Sequence, residues 1–130
     1  MYKVEKTSYG FKLLFADFIK PEEMTGWLAE SKKMLMLPPK EFGVFVDMRT
    51  LKPLPPEAQS ILEEGQKLFK QKGMARYVVI LSNSVLTMQF KRIAKETGIY
   101  QWERYIDSNV NPKWEQAGID WLVKSIDPDK

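Results

Sequence analysis

The residues of this 130-residue chain that could do chemistry fall into three groups. The first follows two short apolar runs: Asp47, Arg49 and Thr50 after one, Ser82, Asn83 and Ser84 after the next, with Asp107 closing a later run. An arginine, short hydroxyl and amide side chains, and free backbone amides at a helix start would together hold an anion or a polar head group. The same residue types have a plainer use. Asn and Ser before a helix cap it, and Asp after a strand fixes the turn, so capping is the commoner outcome. A divalent ion between Asp47 and Asp107 would need oxygen ligands that no third acid or Gly-rich loop supplies nearby.

The second group is basic: Lys67, Lys70 and Lys72 near the end of one helical segment, and Lys91, Arg92 and Lys95 within another. Merged, they would form a positive patch for nucleic acid, anionic lipid or an acidic protein. No aromatic residues interleave with them as stacking platforms would. A net charge of +3 adds little, and such runs are usually solvated faces. Nucleic acid is therefore not the expected partner. The third group is soft and apolar. The chain has seven Met and four Trp, and Met24, Met34, Met36, Met48, Met74 and Met88 fall near helix ends and turns. Met34, Met36 and Leu37 lie on more than one side of their helix, the pattern of an interface rather than of a core stripe.

What is missing narrows the chemistry further. With no Cys and no His, Cys nucleophiles, Ser-His-Asp arrangements, thiol redox chemistry and imidazole or thiolate metal sites are excluded. Glu22-Glu23 and Glu63-Glu64 are adjacent pairs on helices, whose side chains diverge. The expectation is a protein without enzymatic activity, metal or cofactor. No apolar stretch is long enough to cross a bilayer, and the N-terminus has no signal-peptide character. A cytoplasmic location is the default, in keeping with the absence of cysteine.

The elements that must position these residues follow from periodicity. Tyr2 to Lys6 and Phe11 to Ala16, separated by Thr7-Ser8-Tyr9-Gly10, predict a hairpin. A helix follows from about Pro21 to Met36, with Met24, Trp27, Leu28, Ser31 and Leu35 on one face. Phe42 to Asp47 and Arg76 to Leu81 are continuous apolar runs, as strands buried on both faces require. Between them a helix over about Glu57 to Gln71 buries Ala58, Ile61, Leu62, Gly65, Leu68 and Phe69. A third helix, about Val85 to Thr97, turns Leu86, Phe90, Ile93 and Ala94 inward. Trp102 to Asp107 alternates as an edge strand would, and Asn111-Pro112 opens a last helix carrying Trp114, Ala117, Trp121 and Leu122 inward. Ser125 to Lys130 is left as a short polar tail. The order β-β-α-β-α-β-α-β-α predicts one α/β domain over residues 1–130, with a mostly parallel five-stranded sheet and four helices.

That order resembles the STAS-like domains, named for sulfate transporters and anti-sigma factor antagonists. Its most specific stretch is Val44 through Ala58, which is similar to the strand, Asp-containing turn and helix start of stand-alone bacterial members without assigned function. The resemblance implies a regulatory module acting through protein contacts, with a second copy of itself as the expected partner. In the anti-sigma factor antagonists, a serine at the start of the second helix is phosphorylated by a partner kinase. The aligned positions here are Pro55, Pro56, Glu57 and Ala58, which offer no hydroxyl. Thr50 lies before that loop and Ser60 one turn inside the helix, so both are poor substitutes. A different reading of the Met and aromatic content is a carrier of a small apolar or amphipathic, lipid-like ligand between helices and sheet.

Overall fold

The computed structural model describes residues 1–130. Two short strands, β1 (Tyr2–Lys6) and β2 (Gly10–Phe15), pair antiparallel with Tyr2 opposite Phe15. Their turn is set by Thr7, whose hydroxyl accepts the Gly10 amide at 3.0 Å. Gly10 has φ +146, and a side-chain carbon there would lie 2.1 Å from the Gly43 carbonyl oxygen. The hairpin therefore closes against β3 only with glycine at this position.

The rest of the sheet is parallel. Helix α1 (Pro21–Met34) crosses from β2 to β3 (Phe42–Asp47), and α2 (Pro56–Gln71) from β3 to β4 (Met74–Leu81). Helix α3 (Ser84–Thr97) and a 3-10 turn (Ile99–Gln101) then lead to β5 (Glu103–Asp107), and α4 (Trp114–Lys124) ends the fold. Strand order matches chain order, β1-β2-β3-β4-β5. Successive right-handed crossovers in one direction put α1, α2 and α3 on one face. Helix α4 returns beneath the opposite face, against β3 and β4.

Two cores result. On the three-helix face Phe11, Phe15, Trp27, Phe42 and Phe69 interlock, with Phe15 and Trp27 edge to face at 5.2 Å and Trp27 stacked on Phe69 at 6.2 Å. On the other face Phe45, Val78, Ile80 and Ile106 meet Trp121 and Leu122 of α4. Met24, Met48 and Met74 are buried in the first core, so half of the methionines singled out above are packing residues.

Several local expectations change. Helix α1 ends at Met34, and buried Leu35 caps it, leaving Met36 and Leu37 in the following turn. Asn111 does not cap α4: its side chain accepts the Lys113 amide at 2.9 Å, forming a turn, and the helix begins at Trp114. On α3 only Thr87 and Ala94 are buried, while Leu86 and Ile93 are exposed and Phe90 half-buried. The cause is position, because α3 packs on the edge strand β5 and the 3-10 turn. Strand β5 itself does not alternate: all five residues are buried.

Two helix glycines separate packing from propensity. A side-chain carbon at Gly65 of α2 would lie 2.1 Å from the Trp27 ring, whereas one at Gly26 of α1 meets only the Tyr2 hydroxyl, at 3.5 Å. Both substitutions to Ala gain roughly 1 kcal/mol of helix propensity. At Gly65 an overpacking cost of about 1–3 kcal/mol outweighs that gain. Denaturant unfolding is expected to show Gly26→Ala more stable than wild type and Gly65→Ala less stable.

Candidate functional site

Parallel strands deliver their carboxyl ends to one edge of the sheet, and this is where the first group of chemistry-bearing residues lies. Asp47 ends β3, Ser82 follows β4, and Asp107 ends β5. Asp47 is buried and receives the Arg49 amide at 3.0 Å and the Arg49 guanidinium twice, at 3.0 and 2.9 Å. The guanidinium also lies 4.1 Å from the centre of the Trp114 ring. Arg49 is thus held on both sides, and its bonds to Asp47 raise its pKa further. The carboxylate fixes the turn after β3 by holding its own neighbour.

The second half of the edge is closed in the same way. The Asn83 side chain caps α3, accepting the Leu86 amide at 2.9 Å. The Ser82 hydroxyl donates to the Arg49 carbonyl, tying the β4 turn to the β3 turn. The Ser84 hydroxyl donates to Asp107, whose other oxygen accepts the Asn109 amide at 2.9 Å. Thr50 is exposed, and its carbonyl accepts the Asp17 amide at 3.0 Å. The structure thus gathers Asp47, Arg49, Thr50, Ser82, Asn83, Ser84 and Asp107 along one edge, engaged chiefly with one another. Asp47 and Asp107 stand two strands apart, with β4 between them. Their backbones are therefore separated by about 10 Å.

Four of the basic residues are individually engaged. Lys70 donates to the Met74 carbonyl at 3.2 Å and sits 4.4 Å from the Trp102 ring centre. Lys91 pairs with Asp129 at 2.9 Å, Arg92 with Glu96 at 3.9 Å, and Lys95 lies over Tyr100. Lys67 is exposed on α2. Among the apolar candidates, Met34 packs against the core, while Met36 is 74% exposed and Leu37 92%.

A polar cluster that the sequence reading missed lies beneath α2 and α3. Glu103 and Tyr105 are alternate residues of β5 and so share its three-helix face with Tyr77 of β4, which is opposite Glu103 in register. The Tyr105 hydroxyl donates to the Glu103 carboxylate, and Gln66 of α2 donates to the Tyr77 hydroxyl at 3.0 Å. All three strand residues are buried. Desolvation pushes the Glu103 carboxyl up to about 7, against the smaller pull of the Tyr105 hydrogen bond. Burial and the nearby carboxylate also raise both tyrosines. The signal was present in the sequence: an acid and a tyrosine two residues apart, and so on one face of a strand.

Behind this cluster Arg104 turns to the other face. Its guanidinium lies between the rings of Tyr100, at 3.7 Å, and Trp121, at 4.3 Å, and pairs with Asp127 at 2.9 Å. That pairing holds the Asp127 carboxyl below its usual range. Asp129 receives Lys91 and the Tyr100 hydroxyl, and burial, with the Asp129 carboxylate second, moves that phenol up to about 12. The terminal residues are a fastened segment rather than a free polar tail.

No family model matches the sequence, and no curated protein matches it. Among solved structures, it is similar to an uncharacterized protein of the DUF3478 family from Shewanella loihica PV-4, described as having a SpoIIAA-like fold. The two share 18% identity with a TM-score of 0.58, over 94% of this chain and 92% of that one. The fold is thus SpoIIAA-like, which is the STAS-like architecture. No helix is long and apolar enough to cross a membrane.

The buried carboxyl has a measurable consequence. With its folded pKa near 7 and an ordinary unfolded value of 4.5, Glu103 binds a proton in the folded chain that the unfolded chain has released. Its contribution to stability is present at low pH and is lost as pH rises from 4.5 through 7. The loss is on the order of 3 kcal/mol across that window. Urea unfolding at a series of pH values is expected to show this decline, and Glu103→Gln should flatten it.

Proposed function

We propose that this protein is a non-catalytic interaction module that regulates by contact and associates with a second copy of itself. The observation that supports this reading is the state of the sheet's carboxyl edge. In an open α/β sheet that edge is where ligands bind and chemistry happens, and here Asp47 pairs with Arg49, Ser84 with Asp107, and Asn83 caps α3. Their geometry is that of structural polar groups, satisfied locally. At the start of α2, where the anti-sigma factor antagonists carry their phosphorylated serine, Pro55 and Pro56 begin the helix. A regulatory role here would therefore run through contact rather than through phosphorylation at that position.

The surface favoured for that contact is the turn after α1. Leu35 is fully buried and anchors the turn, while Met36 and Leu37 project beyond it. A methionine beside a leucine on a fixed turn offers adaptable apolar area at little conformational cost. The carrier reading has less support, since the ring-to-ring packing of Phe11, Phe15, Trp27, Phe42 and Phe69 occupies the space between helices and sheet that a ligand would need.

Sedimentation velocity tests the reading. Wild type is expected to sediment as a dimer at micromolar concentration. Met36→Ser combined with Leu37→Ser should leave the unfolding midpoint of the dissociated monomer unchanged, because both side chains are exposed there. It should weaken the dimer at least tenfold, given about 1.5–3 kcal/mol for each buried apolar side chain. A wild type that stays monomeric overturns self-association.

A further inference from the structure

The outer edge of β5 is not closed by another strand. In the parallel ladder with β4, Tyr77 donates to the Trp102 carbonyl and Ser108 to the Leu81 carbonyl. The even-numbered residues of β5 therefore turn their backbone groups toward β4, and Glu103, Tyr105 and Asp107 turn theirs outward. The Glu103 carbonyl accepts Arg104 at 2.8 Å, and the Asp107 carbonyl accepts the amides of Val110 and Asn111, at 3.1 and 3.0 Å. The three outward amides and the Tyr105 carbonyl have no partner within the chain. Along this edge runs a cleft of about 350 Å³, with Thr87 and Met88 of α3 on one side, Val110 on the other, and Pro128 and Asp129 of the tail forming an end.

The tail reaches this cleft by two charged anchors. Asp127 binds Arg104 on the α4 side of the sheet, and Asp129 binds Lys91 on α3, on the opposite side. Two carboxylates at alternate positions thus strap the edge across both layers. We infer that the β5 edge is a docking site for an acidic turn segment of a protein partner, and that the chain's own tail, a turn closed by the Lys130 amide on the Asp127 carbonyl at 3.3 Å, occupies its two cationic anchors until displaced. The occupant's class follows from the site. The free backbone amides of the edge are donors suited to an acidic group. Arg104 and Lys91 recognise carboxylates spaced as Asp127 and Asp129 are. Met88 and Val110, 71% and 73% exposed, supply an apolar rim. This surface lies on other elements than the α1 turn, and it holds or fails separately from self-association there.

The test releases the strap and supplies the acidic segment from outside. Asp127→Asn with Asp129→Asn removes both charges while keeping side-chain shape, and the probe is an acetylated peptide of residues 125–130. In ¹⁵N-resolved NMR of the released variant, the amides of Glu103, Tyr105 and Asp107 should shift saturably as peptide is added. Wild type should need at least about tenfold more peptide, because the tethered tail competes at an effective concentration in the millimolar range. Lys91→Ala in the released variant should weaken binding, and a peptide with Asn at both acidic positions should not bind. Shifts equal in wild type and released variant would overturn the inference. So would a released variant that aggregates or pairs with itself but shows no peptide-dependent shift, since the tail would then serve only to protect the edge.

Discussion

Strand β3 has no exposed residue, and most of the architecture answers to that fact. A strand apolar on both faces must be covered on both, and a parallel neighbour on each side requires crossover helices. The crossovers place α1, α2 and α3 on one face, so the other can be covered only by an element that comes after the sheet is complete. Helix α4 is that element, and Trp121 and Leu122 are its contribution to the second core. Gly43 and Gly118 mark how closely it approaches. A side-chain carbon at Gly43 would meet Leu122 at 3.0 Å, and one at Gly118 would meet the Phe45 ring at 2.6 Å.

Much of this was legible in the residues. The apolar runs Phe42 to Asp47 and Arg76 to Leu81 announced strands buried on both faces, and their alternation with helical stripes announced the parallel order. What was not legible depended on neighbours far apart in sequence. Trp102 to Asp107 carries three charged residues among three apolar or aromatic ones, so it reads as a half-exposed edge strand. In the fold Glu103 lies under the helices and Arg104 lies between Tyr100 and Trp121, and both are buried. Periodicity reports which residues share a face, but not what comes to cover each face. The tail shows the same limit, because the partners that make Asp127 and Asp129 structural lie 23 and 38 residues away.

The candidate site divides along the same line. Asn83 and Asp47 behave as their local sequence suggests, as a helix cap and a turn fixer, because each partner lies within three residues. Ser84 is different. Placed at a helix start, it reads as a cap, yet its hydroxyl reaches across to Asp107 because the end of β5 comes beside the start of α3. The buried acid Glu103 is the extreme case. Its neighbours are a tyrosine on its own strand and a tyrosine on β4 that a glutamine of α2 holds, and only the assembled sheet brings them together.

The two edges of the sheet are defended by different physics, and the contrast bears on function. Strand β1 is short and carries Lys3, Glu5 and Lys6, so any strand pairing there must accommodate solvated charges. That is a permanent deterrent, built into the strand itself. Strand β5 has no exposed charge on its own residues, and its defence is borrowed from α3, the 3-10 turn and the last few residues of the chain. Borrowed cover can be moved. The ion pairs of the tail join partly buried groups on two layers, so they fasten it more firmly than surface pairs would, yet both depend on carboxylates that another acidic segment could match. The β1 edge is closed by charges on its own strand, whereas the β5 edge is closed by groups brought from elsewhere in the chain.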